Sequence, residues 1–167
     1  MEYVFEQAKK SDKNEIMCLY KSVLGSDFCF WDDNYPNEEI FDFDISRDAL
    51  FVLRDQERDN KIIAAISIDL DDEVEKLECW SKELVPVAEL SRLVIDMSYQ
   101  GKSLSRGIMI KAIDVLRERG YKAVHILVHK KNLKAINSYT HLNYKRVGET
   151  NLHGNDYWCY EMGLEDI

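Results

Sequence analysis

The stretch Glu89-Leu90-Ser91-Arg92-Leu93-Val94-Ile95-Asp96-Met97-Ser98-Tyr99-Gln100-Gly101-Lys102-Ser103-Leu104-Ser105-Arg106 changes its apolar period half-way along, and that change decides the fold. Leu90, Leu93, Val94 and Ile95 crowd together as in a buried strand over Glu89 to Asp96. From Leu104 onward, Ile108, Ala112, Val115 and Leu116 recur at the spacing of an amphipathic helix that stops at Gly120. The turn Tyr99 to Ser105 joins the two. A helix start leaves backbone N–H groups without intrahelical partners, and the helix dipole places positive charge beside them. Lys102 and Arg106 add more, so the unit suits a pyrophosphate or another anion. The same pattern also fits an ordinary polar connection, and the rest of the chain has to distinguish the two.

Downstream, Lys122 to His129 reads as a strand with both faces apolar, as expected in the middle of a sheet. Asn132 is placed to cap a helix from Leu133 to Leu142, in which Asn132 and Tyr139 stand two turns apart and share a face. Tyr144 to Glu149 and Tyr157 to Gly163 then flank the turn-rich Asn151-Leu152-His153-Gly154-Asn155 as a hairpin. Upstream, Tyr3 to Gln7 alternates like a strand, and Ile16, Leu19, Tyr20 and Val23 mark a helix within Ser11 to Leu24. A second helix is expected from about Pro36 to Ile45, with Pro36 in its first turn. Leu50 to Arg54 and Lys61 to Ile68 form a further hairpin, and the acidic stretch Asp69 to Val87 shows no clear period.

At 167 residues and 46% hydrophobic content the chain suits one domain, over 1–167, with a genuine core. Its longest apolar runs fall far short of the roughly 20 residues that cross a bilayer. The start, Met1 to Glu6, lacks a basic patch and a long apolar run, so a cytoplasmic location is expected. Cys18, Cys29, Cys79 and Cys159 are scattered, which suggests neither a disulfide framework nor a metal site. His125 and His129 share a strand face but lack partners at ligand spacing, so packing or a place near a phosphate is the expectation for them. The net charge of −9 opposes a nucleic-acid partner. Between Gln100 and Arg146, however, 11 bases face two acids, a local balance of +9 against −18 elsewhere. Either that stretch is prepared for an anion, or basic and acidic segments pair with each other in the fold.

Two segments resemble the GNAT superfamily of acyl-CoA-dependent N-acetyltransferases. Gln100-Gly101-Lys102-Ser103-Leu104-Ser105 is similar to that family's pyrophosphate loop, Q/R-x-x-G-x-G/A, with Ser103 and Ser105 in place of its two later glycines. A left-handed backbone at serine would cost on the order of 1 kcal/mol relative to glycine. Asn132, Ala135 and Tyr139 match the N-x-x-A-x-x-x-Y-x-x-x-G-F segment, whose Gly-Phe is here Asn143-Tyr144. Asparagine tolerates a left-handed helix end.

The resemblance implies a single-domain α/β (α+β) fold: a mixed, mostly antiparallel twisted sheet flanked by helices, whose adjacent parallel central strands splay apart to admit acetyl-CoA as co-substrate. It implies cofactor contacts from Val94, Ile95 and Asp96, from Gln100, Gly101, Lys102, Ser103, Leu104, Ser105 and Arg106, and from Asn132. Tyr139 would protonate the departing thiolate. Glu89, which stands 11 positions before Gln100, would be the general base; its alternative is an ion pair with Arg92 or another surface cation. Lys130, Lys131 and Lys134 would lie near the adenosine 3′-phosphate or simply be solvated. The family's acceptor loop maps onto Phe28 to Phe43, where Trp31, Asp32, Asp33 and Tyr35 would form a wall favouring a cationic primary amine, or Trp31 and Tyr35 would seal the sheet edge. No metal is implied; a homodimer is common in the family, and the terminal hairpin Tyr144 to Gly163 is either its contact or a covered edge. The rival reading is a catalytically inactive GNAT-like module that binds or senses an acyl-CoA.

Overall fold

The computed structural model describes residues 2–165; Met1, Asp166 and Ile167, the ends of the domain expected over 1–167, lie outside the described residues. The chain forms two compact units, one from the residues up to Ile68 with Arg92–Ala112, the other from Asp69–Ser91 with the residues from Ile113 onward.

In the first unit β1 (Tyr3–Gln7) pairs antiparallel with β2 (Leu50–Asp55), and β2 with β3 (Lys61–Asp69). The hairpin between β2 and β3 turns through Asp59 and Asn60, both left-handed, a conformation that short polar side chains tolerate best after glycine. Ile62 to Ile68 is buried throughout, as its unbroken apolar character requires. Helix α1 (Lys13–Ser22) turns Ile16, Leu19 and Tyr20 onto this surface, and α2 (Glu38–Ser46) contributes Phe41. These side chains form one core with Leu50, Val52, Ile62 and Val94. Each fully buried aliphatic side chain contributes about 1.5–3 kcal/mol, so helices and strands hold each other in place. Helix α2 starts later than its sequence suggests. Asn37, not Pro36, sets its start, because the Asn37 side chain accepts from the Ile40 N–H at 3.0 Å.

The acidic segment without a period holds a single helical turn, α3 (Asp72–Glu75), capped by Asp71. Strand β4 (Val87–Ile95) follows, then α4 (Leu104–Glu118). In the second unit β5 (Ala123–His129) pairs parallel with β4 and antiparallel with β7 (Asn155–Gly163), which pairs antiparallel with β6 (Lys145–Leu152). Helix α5 (Leu133–Thr140) links β5 to β6. The strand order is thus β1-β2-β3-β4 in one unit and β4-β5-β7-β6 in the other, an α+β arrangement with one parallel pair. That pair is short: the β4/β5 ladder covers only Val87↔Ala123, Ala88↔Val124 and Glu89↔His125. The ladder stops at Glu89, well before β4 ends at Ile95.

Two glycines of the second unit answer specific demands. Gly154 and His153 are both left-handed in the two-residue turn between β6 and β7, the hairpin geometry that matches strand twist. Gly148 lies where the β6/β7 register shifts, and a Cβ there would stand 2.7 Å from the Cys79 Cβ. No side chain fits without moving Cys79.

Candidate active site

The cofactor-loop residues of the sequence lie together in the first unit. Val94 is buried in the α1 core, and beyond Ile95 and Asp96 a 3-10 turn, Met97–Tyr99, carries the chain out of the sheet. The Asp96 carboxylate closes that turn, accepting from the Ser98 N–H at 2.9 Å and the Ser98 hydroxyl at 2.6 Å, and Lys61 pairs with it at 2.9 Å. Burial alone would raise its pKa; Ser98 and Lys61 outweigh this and hold it below the usual value. The Gln100 side chain donates to the Ile95 carbonyl at 3.1 Å and ties the loop back onto β4.

Gly101 and Ser103 are both left-handed, at φ 79° and 60°, and α4 begins at Leu104. Ser103 thus carries the strain its replacement of glycine implied, on the order of 1 kcal/mol. Gly101, Lys102, Ser103 and Arg106 are exposed, whereas Leu104 and Ser105 are half-buried. First-turn amides at the start of a 15-residue helix, with two hydroxyls and two cations beside them, suit a pyrophosphate.

Of the acceptor-wall residues, Asp32, Asp33 and Tyr35 are exposed and Trp31 is half-buried. Trp31 meets Tyr20 edge-on at 5.6 Å and packs on the α1 core. Asp32 accepts from the Asn34 N–H and so shapes the loop itself. Tyr35 reaches inward, where its hydroxyl accepts from Arg92 Nη1 at 3.1 Å. Arg92 is a residue that sequence reasoning misplaced: it is buried, not a surface cation. Its guanidinium grips the fully buried Asp44, with Nη2 to Oδ1 at 2.7 Å and Nε to Oδ2 at 3.2 Å. Arg47 Nη2 and the Ser67 hydroxyl also donate to Asp44, each at 2.8 Å. Arg92 is left-handed (φ 49°) within β4. The pairing and the tight packing hold it there, at a backbone cost of the order of 1–2 kcal/mol.

The second unit holds Glu89, Asn132 and Tyr139. Asn132 caps α5, its side chain accepting from the Ala135 N–H at 3.1 Å, and Asn143 is left-handed just beyond the helix, as its place in the motif suggested. Tyr139 is buried against Tyr144 and Tyr160, with ring centroids at 5.5 and 6.2 Å. Burial pushes its phenol up to about 12, which keeps it a neutral proton donor at physiological pH. Lys130 pairs with Glu149 and lies over Trp158.

Glu89 occupies the last rung of the parallel ladder, opposite His125. His125 in turn is opposite Glu161 on β7, and its Nε2 lies 2.7 Å from a Glu161 carboxylate oxygen. Trp80 stacks on the imidazole at 3.8 Å, nearly parallel. No carboxylate partner of His125 is visible in the sequence, because Glu161 is 36 residues away and arrives only through strand pairing. Burial lowers the His125 pKa more than Glu161 raises it, so the ring is neutral at pH 7. Among the described residues, no group of three or more His, Cys, Asp or Glu side chains is arranged to hold a metal ion, and no helix is long and apolar enough to cross a membrane.

The described residues thus combine an α+β fold, one short parallel strand pair and a polar turn that leads from β4 into the long helix α4. The profile of the acetyltransferase (GNAT) family matches residues 15–144, and the chain belongs to that family of acyltransferases. Among solved structures it is similar to the ribosomal-protein-S18-alanine N-acetyltransferase of Escherichia coli, with 16% identity, 98% of this chain and 94% of that one covered, and a TM-score of 0.74. A GNAT-family acetyltransferase of Streptococcus pneumoniae gives 19% identity, 97% and 99% coverage and 0.72. The yncA protein of Salmonella typhimurium, solved with its cofactor acetyl-CoA, gives 15% identity, 100% and 96% coverage and 0.73. No curated protein sequence matches.

Proposed function

We propose that the chain, acting as a single domain over 1–167, transfers the acetyl group of acetyl-CoA to a cationic primary amine by direct attack in a ternary complex. The observation that carries this reading is the loop from Gln100 to Arg106, tied to β4 by Gln100 and open at Gly101 and Ser103, set at the N-terminus of a long helix. Acetyl-CoA supplies the acetyl group as an activated thioester. The amides of Gly101 to Ser105 with Lys102 and Arg106 hold its phosphates, and the backbone of Val94 to Asp96 orients the pantetheine arm. Asn132 fixes the start of α5, from which Tyr139 donates a proton to the leaving sulfur. Glu89 takes a proton from the acceptor ammonium, directly or through water. Asp32 and Asp33 draw a cation toward the loop, and Tyr35, held by Arg92, forms its inner edge. A polyamine, an aminoglycoside, an amino-acid derivative and a protein N-terminus or lysine share the chemistry required.

The test is calorimetric titration of acetyl-CoA, with CoA and ATP as controls, followed by detection of acetylated product across a panel of such amines. Saturable binding selective over ATP and amine-dependent product are expected. Binding without product from any amine would make the chain an acyl-CoA-binding module; no binding at millimolar acetyl-CoA would overturn the reading.

A further inference from the structure

Glu89, His125 and Glu161 form one row across three neighbouring strands, because Glu89↔His125 and His125↔Glu161 are both rungs of the sheet. Directly paired residues project to the same face. All three are buried, at 6, 2 and 5% exposure. A buried imidazole held by the Glu161 carboxylate under the Trp80 indole, with the buried Glu89 on the next rung, is an expensive arrangement for mere packing. The imidazole is also asymmetric. Its Nε2 is engaged by Glu161, which the Ser81 N–H fixes from the other side at 3.1 Å. Its Nδ1 is buried and has no hydrogen-bond partner among the described residues, while Glu75 Oε1 of α3 stands 3.8 Å away. A neutral ring that donates from Nε2 to a carboxylate carries its lone pair on Nδ1.

Acetylation of an ammonium by a thioester releases one net proton: of the two N–H protons lost, one goes to the thiolate and the other must reach solvent. Building on the function proposed above, we propose that His125 is the relay for that second proton, accepting it at Nδ1 after Glu89 has taken it from the amine, with Glu161 as the positioning residue that stabilises the imidazolium. The steps balance. The ammonium N–H bond breaks as Glu89 gains an O–H; that proton then forms the Nδ1–H bond of His125 and restores the Glu89 carboxylate. The imidazolium keeps its Nε2–H directed at Glu161, and Glu75, whose side chain is 31% exposed, passes the proton from Nδ1 to water. Among the described residues, Glu161 from β7 and Glu75 from α3 face the ring, Glu89 stands on the paired rung of β4, and the Cys79 thiol adjoins Glu161. Burial, and then Asp71 and Asp72, raise the Glu75 pKa, which suits it to accept a proton transiently.

The experiment compares the wild type with His125→Gln, His125→Ala and Glu161→Gln, reading acetylated amine as product across pH 5.5–9.5, with thermal melting as the folding control. For His125→Gln we expect kcat to fall about 10- to 100-fold, on the scale of losses at general-base positions and their supporting groups, with the KM for acetyl-CoA unchanged. The acid limb of the kcat profile should change with it. In His125→Ala, added imidazole should restore product formation, and in Glu161→Gln the acid limb should move to lower pH. Nitrogen NMR of the wild type should show the Nε2–H tautomer at pH 7. An unchanged kcat and profile in folded His125→Gln would overturn the relay. So would a loss of kcat without a changed profile or imidazole rescue, since that marks a purely structural role, and so would an Nδ1–H tautomer. Absence of product in the wild type with every amine would instead remove the proposed function, and the relay with it; the NMR tautomer is read independently of turnover.

Discussion

The two units each bury a set of charges, and they do so in opposite ways. Around Asp44 the cations outnumber the anion: Arg92 and Arg47 both donate to it, Ser67 adds a hydroxyl, and Tyr35 takes a guanidinium proton that remains. Around His125 the carboxylates outnumber the one base, and a ring nitrogen is left with its lone pair. The first arrangement has no place to put a proton and every reason to stay still. The second can change its protonation state without moving an atom by more than a hydrogen-bond length. Substitutions in the first should therefore act on stability, and those in the second on rate and on pH dependence.

The largest effect should come from Asp44→Ala, which strands Arg92 and Arg47 without their shared carboxylate. A loss of about 3–5 kcal/mol is expected, read by urea unfolding; a loss under 1 kcal/mol would mean that the pair is not structural. Tyr139→Phe should show the opposite signature, a fall in kcat of about 10²-fold with the melting temperature hardly changed. Full turnover would remove Tyr139 as the acid. The pH dependence of stability comes next. The folded His125 pKa lies below its ordinary 6.5, so the unfolded ring binds a proton first as pH falls. Stability present above pH 6.5 is lost on acidification, and the loss should be shallower in His125→Gln; parallel curves for the two proteins would contradict the buried neutral ring. The smallest effect belongs to Ser103→Gly, outside both networks. Ser103 is left-handed before any ligand binds, so relief of that strain, about 1 kcal/mol, should appear as added stability in urea unfolding with acetyl-CoA binding unchanged in calorimetry, and weaker binding would show that the hydroxyl itself holds a phosphate.

The part of this fold legible in the sequence was the part encoded locally. Period changes placed β4 and α4, the Asn132 cap and the left-handed Asn143 followed from residue chemistry, and the turn at His153-Gly154 lay inside the stretch marked as turn-rich. The loop from Gln100 to Ser105 was readable for the same reason, although whether Ser103 is left-handed needed the backbone. The buried charges were not readable. Arg92 meets Asp44 across 48 residues and His125 meets Glu161 across 36, and nothing near Arg92 or His125 in the sequence names the partner. A charged residue inside an otherwise apolar strand, as Arg92 and Glu89 both are, was the available signal, and it says that a partner exists without saying where. The short helix α3 escaped because a four-residue turn has no period to detect.

Gly148 carries one consequence for how this protein can evolve. Cys79, which a Cβ at that position would strike at 2.7 Å, is the residue immediately before Trp80, and Trp80 is the lid over His125. A neutral-looking change on the outer hairpin would thus be transmitted through one thiol-bearing side chain to the indole and then to the imidazole. Drift at Gly148 is closed to this lineage unless Cys79 shrinks at the same time, so the two positions should change together or not at all.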